Sequence, residues 1–296
     1  MSLRRGSLQN VLLWILAALL GCQMLSAAAP VWAEVRISPW RPAYQGVDLA
    51  EGIADAREPR LQKVFVARIR LQTPGLEFLT TPRSGKRETV GETASEFLQH
   101  HRLQLAMNAN FYDPVKNEPV EIDLEGLAIS LGTLVSPPSP GLPALCLSKE
   151  NHATLVENAP SDFKTAGIYT AVAGSRIILR NGQPAGKSDP QDVHPRTAIG
   201  ISEDGRTLYL LVIDGRQPGY SVGANDEETT RWLIRFGAVN GLMLDGGGST
   251  TLVRSSSAGK PEILNRPIHQ NIPGRQRLNG NHIGLRATPL VKQSPK

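Results

Sequence analysis

The stretch Gly241-Leu242-Met243-Leu244-Asp245-Gly246-Gly247-Gly248-Ser249-Thr250-Thr251 joins an apolar segment to one carboxylate, three glycines and three hydroxyls. We interpret it as a buried strand whose end presents Asp245 beside a turn. Glycines take backbone conformations that other residues avoid, so successive N–H groups can converge there on an anion. A tight turn capped by Asp245 is the simpler alternative. Three consecutive glycines favour a functional site.

The flanking segments predict many short strands and few helices. Lys63 to Leu71 alternates as a half-buried strand does. Further strand candidates, punctuated by Asn-Gly and Asp-Gly turns, lie at 176–180, 197–201 and 207–213. Capping patterns predict a helix of about three turns after Thr93 and another from Asn225 to Gly237. Strands that follow one another without helices predict one α+β catalytic domain with mixed or antiparallel sheets, and the site at the strand ends.

Residues 1–33 have the pattern of a secretory signal peptide. Two arginines precede an apolar run over 11–20, and small residues before Glu34 form a cleavage site. The run is short for a membrane span, which needs about 20 residues, although an uncleaved anchor is an alternative. A lipobox-like sequence before Cys22 makes a lipid anchor a second alternative. We predict an exported protein, periplasmic or secreted, with a domain over 34–296.

The composition narrows the class of protein. Loss of 1–33 removes two arginines and no acidic residue, so the net charge falls from +5 to +3. No block of basic residues is present, so we do not expect a nucleic-acid partner. Cys146 is then the only cysteine, which excludes an intramolecular disulfide and predicts a core residue. The remaining chain of about 260 residues can bury a substantial core.

Other candidate residues lie at the ends of apolar segments or at turns. Asn108 and Asn110 carry amides that suit sugar hydroxyls. Arg196 stands at the mouth of a strand, and a guanidinium suits phosphate. Asp214 repeats the Asp-Gly strand end, and Glu228 could supply a second carboxylate for glycosidic chemistry. Each has a structural alternative: an asparagine turn, a surface ion pair or a capping box.

Five motifs in order resemble the phosphodiester glycosidase family. They are Asn-Ala-Asn-Phe-Tyr at 108–112, Pro-Arg-Thr-Ala-Ile-Gly at 195–200, Asp-Gly-Arg at 214–216, Glu228 and Asp-Gly-Gly-Gly-Ser at 245–249. The resemblance covers about residues 60–285 of the domain. The chain departs from the family pattern at two places. The family often has Asn-Gly-Gly-Phe-Phe at the first motif, and it often has asparagine at the position of Met243. These departures leave the sugar and the leaving group open.

The resemblance implies hydrolysis of the bond between an anomeric carbon and a phosphodiester oxygen. It implies a site lined by Asp245 and its glycines together with Asn110, Arg196, Asp214 and Glu228. From the charge that develops at the anomeric carbon we assign Asp245 as base or nucleophile, with Glu228 as its candidate partner. The residues expected to bind substrate are Asn108, Asn110 and Asp214 for sugar hydroxyls, and Arg196, Gly246, Gly247, Gly248 and Ser249 around the phosphate. The expected partner is therefore a phosphodiester-linked glycan or sugar.

The sequence requires no cofactor. Carboxylates at Asp113, Asp214, Glu228 and Asp245 could gather around Ca²⁺ or another divalent cation, but no spacing demands a metal. Two other functions fit the same residues: a metal-dependent phosphodiesterase that cleaves P–O, and a non-catalytic envelope module that binds a phosphorylated glycan. Membrane attachment is expected only through an uncleaved signal or a lipid anchor at Cys22.

Overall fold

Strands dominate the computed structural model, which describes residues 35–55 and 60–290. About 42% of the described residues are in strands and 8% in helices. The described residues belong to one compact unit. The predicted signal peptide, its cleavage site and Cys22 lie outside the described residues.

The described strands are short and are numbered here in chain order. They are β1 (Val35–Ile37), β2 (Arg41–Tyr44), β3 (Val47–Ala54), β4 (Gln62–Arg70), β5 (Glu77–Thr80), β6 (Thr89–Val90), β7 (Leu105–Asn108), β8 (Tyr112–Asp113), β9 (Glu121–Leu124), β10 (Ala128–Ser130), β11 (Thr133–Ser136), β12 (Ala144–Leu147), β13 (Ala153–Val156), β14 (Thr170–Ala173), β15 (Arg176–Arg180), β16 (Gln183–Pro184), β17 (Arg196–Ile201), β18 (Thr207–Ile213), β19 (Asn240–Met243), β20 (Leu252–Ser255), β21 (Pro261–Ile263), β22 (Ile268–His269), β23 (Ile272–Pro273) and β24 (His282–Arg286). The described helices are α1 (Ala94–His100) and α2 (Asp226–Phe236), and a 3₁₀ turn spans Gly247–Ser249.

Two sheets carry the fold. The larger has nine strands in the order β1-β3-β4-β18-β17-β19-β15-β16, with β2 also paired to β3. The second has five strands in the order β21-β20-β7-β24-β5. A further five-stranded sheet, β11-β10-β14-β12-β13, and two smaller sheets, β6-β9-β8 and β22-β23, complete the described strands. Pairing throughout the nine-stranded sheet is antiparallel, as it is between β7, β24 and β5.

The elements stack as helix, sheet, sheet, helix. Helix α2 covers one face of the nine-stranded sheet with Trp232, Leu233 and Phe236. The other face packs against the second sheet in a shared apolar core. Helix α1 covers the far side of that second sheet with Phe97 and Leu98. The predicted α+β domain with antiparallel sheets is thus confirmed in outline, but the fold is far more β-rich than helical.

Local signals fix both helices. The side chain of Thr93 accepts a hydrogen bond from Glu96 N, and Glu96 bonds back to Thr93 N, so the predicted capping box is present. Helix α1 has only seven residues, however, and not the three turns expected. Helix α2 begins after the N-cap Asn225 and ends at Gly237, whose φ of 106° is in the left-handed region. These are the boundaries that the sequence predicts.

Strand β4 corrects one expectation. The sequence predicts a half-buried strand, but Val64 and Val66 pack in the core beneath α2. Ala67 and Ile69 lie in the core between the sheets. The strand is buried on both faces because each face of its sheet is covered. Cys146 is a buried free thiol, as predicted. Within residues 35–55 and 60–290, neither helix has the length and apolarity needed to cross a membrane.

Candidate active site

Asp245 lies where the ends of the two main sheets meet. It follows β19 of the larger sheet, and its backbone N–H donates to Ala109 O, 3.0 Å away, just beyond β7 of the second sheet. The side chain of Asn108 donates to Asp245 O at 2.5 Å. These bonds hold the carboxylate at the junction of the sheets, as predicted for a strand-end site.

The three glycines after Asp245 form a crowded turn. Gly247 has a φ of +60°, a conformation that favours glycine. A Cβ at Gly248 would overlap the guanidinium of Arg277, so glycine makes room for that side chain. The N–H of Gly247 donates to Pro195 O at 2.8 Å, and that of Gly246 bonds the Asp245 carboxylate. These two amides therefore have protein acceptors, contrary to the open anion cradle that the sequence predicts.

Burial sets the chemistry of Asp245. Removal from water raises the pKa of its carboxyl from 3.8 to about 6. A hydrogen bond from Ser249, the positive charge of Arg277 and the Gly246 N–H act in the opposite direction, and the charge of Glu125 adds to the rise. A carboxyl with this pKa can both give and take a proton near neutral pH.

Two arginines approach the glycine turn from other loops. Arg277 lies against Gly248 and donates to Ser249 Oγ at 3.3 Å and to His269 Nδ1 at 3.2 Å. Arg216 lies against Gly247, 3.1 Å from the position that a Cβ would take there. Burial, Arg277 and Arg196 all lower the pKa of Arg216. The turn therefore has a positive environment that suits an anion.

Tyr112 adds a hydroxyl to this cluster. Its phenol donates to Leu278 O at 2.7 Å. Burial, followed by the charge of Asp245, raises the pKa of Tyr112 to about 12, against hydrogen bonds to Ser249 and Arg277. The hydroxyl therefore remains protonated at neutral pH, and its one proton is donated to Leu278 O.

The predicted amides are scaffold residues in this conformation. Besides Asp245 O, Asn108 bonds through Oδ1 to Thr197 Oγ1 at 3.0 Å and Thr251 N at 3.1 Å. Asn110 is equally buried. It accepts from Ala173 N at 3.1 Å and donates to Glu125 O, also at 3.1 Å. Both side chains position the site. Neither has a free amide edge with which to bind a sugar hydroxyl.

Asp214 is also satisfied by the protein. Its carboxylate accepts from Asn265 Nδ2 at 2.8 Å, from Arg266 N at 2.8 Å and from Tyr220 Oη at 3.0 Å. Burial raises its pKa, and these three donors oppose the rise. Asn265 also donates to Thr250 O at 3.0 Å. Asp214 therefore anchors the segment that follows the glycine turn, instead of presenting free oxygens to a sugar.

Arg196 already uses guanidinium N–H groups, which a phosphate would need, in hydrogen bonds to the protein. Its Nε donates to Ala224 O at 2.8 Å, and Nη2 bonds both the carbonyl and the carboxylate of Asp192. Asp226, in the first turn of α2, lies 3.8 Å from Nη2. Arg196 thus ties the start of β17 to the start of α2, and Arg216 and Arg277 stand at the turn in its place.

Glu228 occupies the structural position that its spacing allowed. It completes the capping box of α2, accepting from Asn225 N at 3.0 Å. Gln62 donates to the same oxygen at 3.0 Å, and Arg60 lies 3.1 Å from the other. Both oxygens are engaged away from the glycine turn, because the helix N-terminus needs an acceptor there.

The acidic residues proposed for a metal are not gathered together. In the part of the chain that the structure describes, no three histidine, cysteine or acidic side chains form a group that could hold a metal ion. Asp214 and Glu228 have the partners given above, and Asp113 is exposed on β8. The structure brings Asp245, Ser249 and the glycines together. It places Asn108, Asn110, Asp214, Arg196 and Glu228 in bonds to other parts of the protein.

Sequence reasoning passed over Arg277, Glu125, and the roles of Arg216 and Tyr112. Arg277 has no local signal, since it reaches the turn only through the fold. Glu125-Gly126 does have one, because it follows strand β9 as Asp245-Gly246 follows β19. The repeated pattern of a strand, an acid and a glycine could have revealed Glu125.

The model of the phosphodiester glycosidase family matches residues 101–286. This range contains every residue of the cluster described above and covers more than half of the 296 residues. Among curated protein sequences, none matches the chain significantly.

Solved structures share the fold at low sequence identity. The catalytic domain of zebrafish N-acetylglucosamine-1-phosphodiester alpha-N-acetylglucosaminidase, auto-inhibited by its pro-peptide, has a TM-score of 0.62 at 17% identity, covering 86% of this chain and 87% of that one. A candidate exported protein of Burkholderia pseudomallei K96243 gives 0.63 at 13%, covering 87% and 97%. A hypothetical protein from Synechocystis gives 0.61 at 14%, covering 86% and 68%. These similarities establish a common fold.

Proposed function

The chain belongs to the phosphodiester glycosidase family, and from this premise we propose that it hydrolyses the glycosidic bond of a sugar-1-phosphodiester. One observation carries the proposal. Asp245 is a buried carboxyl with a pKa of about 6, beside the cationic Arg277 and a turn of three glycines. This places a group that exchanges protons next to one that attracts phosphate.

The phosphate would bind at Arg216 and Arg277. Guanidinium groups suit a phosphodiester because each can form two parallel, charge-assisted hydrogen bonds. Both groups lie against the glycine turn, where the absence of a Cβ lets each guanidinium pack close to the backbone. As the bond to the anomeric carbon breaks, negative charge grows on the departing phosphate, and fixed positive charges stabilise it.

Asp245 would act at the bond that breaks. Cleavage of this bond develops positive charge at the anomeric carbon and negative charge on the phosphate oxygen. A carboxyl that titrates near neutral pH can serve either centre, as a proton donor or as a base or nucleophile. Ser249 and Gly246 hold its orientation by hydrogen bonds. We propose Asp245 as the catalytic carboxyl on these grounds.

The biological setting is proposed from the sequence. The signal-like start of the chain favours export to the periplasm or beyond. The substrate would then be a phosphodiester-linked glycan of the cell envelope or its surroundings.

Isotope tracing tests the reaction class. The protein from Glu34 onward is incubated in oxygen-18 water with an N-acetylglucosamine-1-phosphodiester, and the products are analysed by mass spectrometry. We expect heavy oxygen on the released sugar, and about a 10²–10⁴-fold slower release by Asp245→Asn because a proton-transfer group is lost. Heavy oxygen on phosphate would instead identify a phosphodiesterase. Binding without turnover, unchanged by the substitution, would identify a glycan-binding module.

A further inference from the structure

The exposed glutamate Glu125 lies at the end of β9, beside the Asp245 site. Its side chain is open to solvent, and Gly126 follows it with a φ of +79°. The chain therefore turns sharply directly after a carboxylate. The assignment of Glu228 to the helix cap leaves the place of the second carboxylate vacant.

The backbone at Glu125 is held firmly. Its N–H donates to Phe111 O at 2.8 Å. The side-chain amide of Asn110 donates to the carbonyls of residues 125, 126 and 127, at 3.1, 3.5 and 3.3 Å. Asn110 is fixed in turn by Ala173 N and by Asn281 Nδ2, 2.9 Å away. A residue supported in this way presents its side chain from a defined position.

Glu125 and Asp245 are bonded to the same short segment. Asp245 N–H donates to Ala109 O, and Glu125 N–H donates to Phe111 O. Two residues of chain span at most about 7 Å, so the two backbones are near neighbours. The side chains also interact, since the charge of Glu125 contributes to raising the pKa of Asp245. Paired carboxylates in glycosidases stand about 5–9.5 Å apart.

We propose that Glu125 is the second catalytic carboxylate of this site and acts as the base that activates water. The inference rests on the proposed function. It gives Glu125 the position that the sequence suggested for Glu228. It also gives Asp245 the acid role in place of the base role.

The division of labour follows from the surroundings of each carboxyl. A phosphodiester bound at Arg216 and Arg277 would bring negative charge to the buried Asp245, which favours its protonated form. Glu125, by contrast, is exposed to water. The buried carboxyl is therefore suited to donate a proton, and the exposed one to accept one.

The proposed step is balanced. Water forms a bond to the anomeric carbon and passes a proton to Glu125. The bond from that carbon to the phosphate oxygen breaks, and its electron pair stays on the oxygen. Asp245 gives its proton to the departing phosphate. The products are the free sugar and a phosphate monoester, and the two carboxyls return to their starting states through solvent.

Azide provides the decisive test, because it attacks the anomeric carbon without losing a proton. Sugar release from the N-acetylglucosamine-1-phosphodiester is measured for the wild type, Glu125→Gln, Glu125→Ala and Asp245→Asn. Glu203→Gln, an exposed glutamate in the turn between β17 and β18, is the matched control. We expect about a 10²-fold or greater loss of kcat/KM in both Glu125 variants, wild-type turnover in the control, and unchanged thermal unfolding in all three.

Sodium azide should restore phosphate release in Glu125→Ala and yield the sugar azide. It should not restore Asp245→Asn. Wild-type turnover by Glu125→Gln would overturn the inference and leave the proposed function standing. Loss of activity without a sugar azide would overturn the base role. Absence of turnover in the wild type would overturn the proposed function itself, and the inference with it.

Discussion

Asp214 and Asp245 share one sequence pattern and differ in what surrounds them. Each follows an apolar strand of the same sheet, β18 and β19, and each precedes a glycine. Both are buried, and burial raises the pKa of both. Sequence pattern, burial and the direction of the pKa shift therefore do not distinguish the two aspartates.

The donors separate the two. Asp214 accepts from Asn265, Arg266 and Tyr220, which belong to two other segments. Asp245 accepts from Ser249 and Gly246, within its own turn, and lies in the field of the Arg277 guanidinium. Asp214 thus links separate loops, whereas Asp245 is bonded within its own turn, which arginines from other loops approach.

A buried carboxylate is therefore a candidate for catalysis when its oxygens still have hydrogen-bonding capacity that no fixed donor uses. Three fixed donors leave Asp214 little that a substrate could add. Two local donors and one nearby guanidinium, that of Arg277, leave Asp245 able to change partner when an anion arrives. Strand-end acids are therefore better ranked by their partners than by their sequence pattern.

Removal of Arg277 should have the largest effect on this comparison. We expect Arg277→Met to lower kcat/KM for a sugar-1-phosphodiester by about 10²–10³-fold, as for the loss of one donor to a developing anion. Because Arg277 holds the pKa of Asp245 down, the limb of the pH–rate profile that belongs to Asp245 should also move to higher pH. Steady-state kinetics across pH measure both.

Arg196→Met is the matched control for Arg277. Its guanidinium bonds Asp192 and Ala224. Its loss should therefore lower the melting temperature and leave KM close to the wild-type value. Equal kinetic losses in the two variants would make Arg196 a phosphate ligand after all, and the contrast drawn from the donors would fail.

The pH dependence of stability tests Asp245 separately from turnover. Its folded-state pKa is raised from 3.8 to about 6. The folded state therefore binds the proton more tightly, and stability is lost as pH rises through this window. At 1.36 kcal/mol per pKa unit, the loss is about 3 kcal/mol above pH 6. Asp245→Asn should be more stable than the wild type by up to that amount at pH 7–8, and not below pH 4.

Denaturant unfolding of the wild type and Asp245→Asn at several pH values provides the measurement. A stability difference that did not change with pH would mean that Asp245 has an ordinary pKa. The site would then lack the proton-exchanging group on which the proposed function depends.

The sequence predicts those parts of the fold that local physics decides. The capping box at Thr93 and the span from Asn225 to Gly237 are present because the caps satisfy helix-end groups within a few residues. The order of the strands within the nine-stranded sheet could not be predicted, because β19 pairs with β15 and β17, which lie in distant parts of the chain. The sequence was sufficient to predict the strand content and the antiparallel pairing. It was not sufficient to predict the four-layer stacking of helices and sheets.

The site divides in the same way. Asp245 and its glycines form one local pattern and were proposed from the sequence. Arg277 was not, because its approach to Gly248 depends on how the segment after β23 folds back. For Glu228 the sequence left a catalytic role and a capping role open. Its capping pattern with Asn225 is local and was visible, and the structure gives it that role.

Asp214→Asn should have the smallest of the three effects and act on stability. The new amide would face Asn265 Nδ2, which cannot turn over because its Oδ1 accepts from Leu252 N at 2.9 Å. One buried donor then loses its acceptor, at a cost of about 1–3 kcal/mol. Denaturant unfolding at pH 7 should show this loss, opposite in sign to the gain for Asp245→Asn. Two buried aspartates with the same sequence pattern would then respond to the same substitution in opposite directions, because only Asp214 has its oxygens matched by donors from other segments.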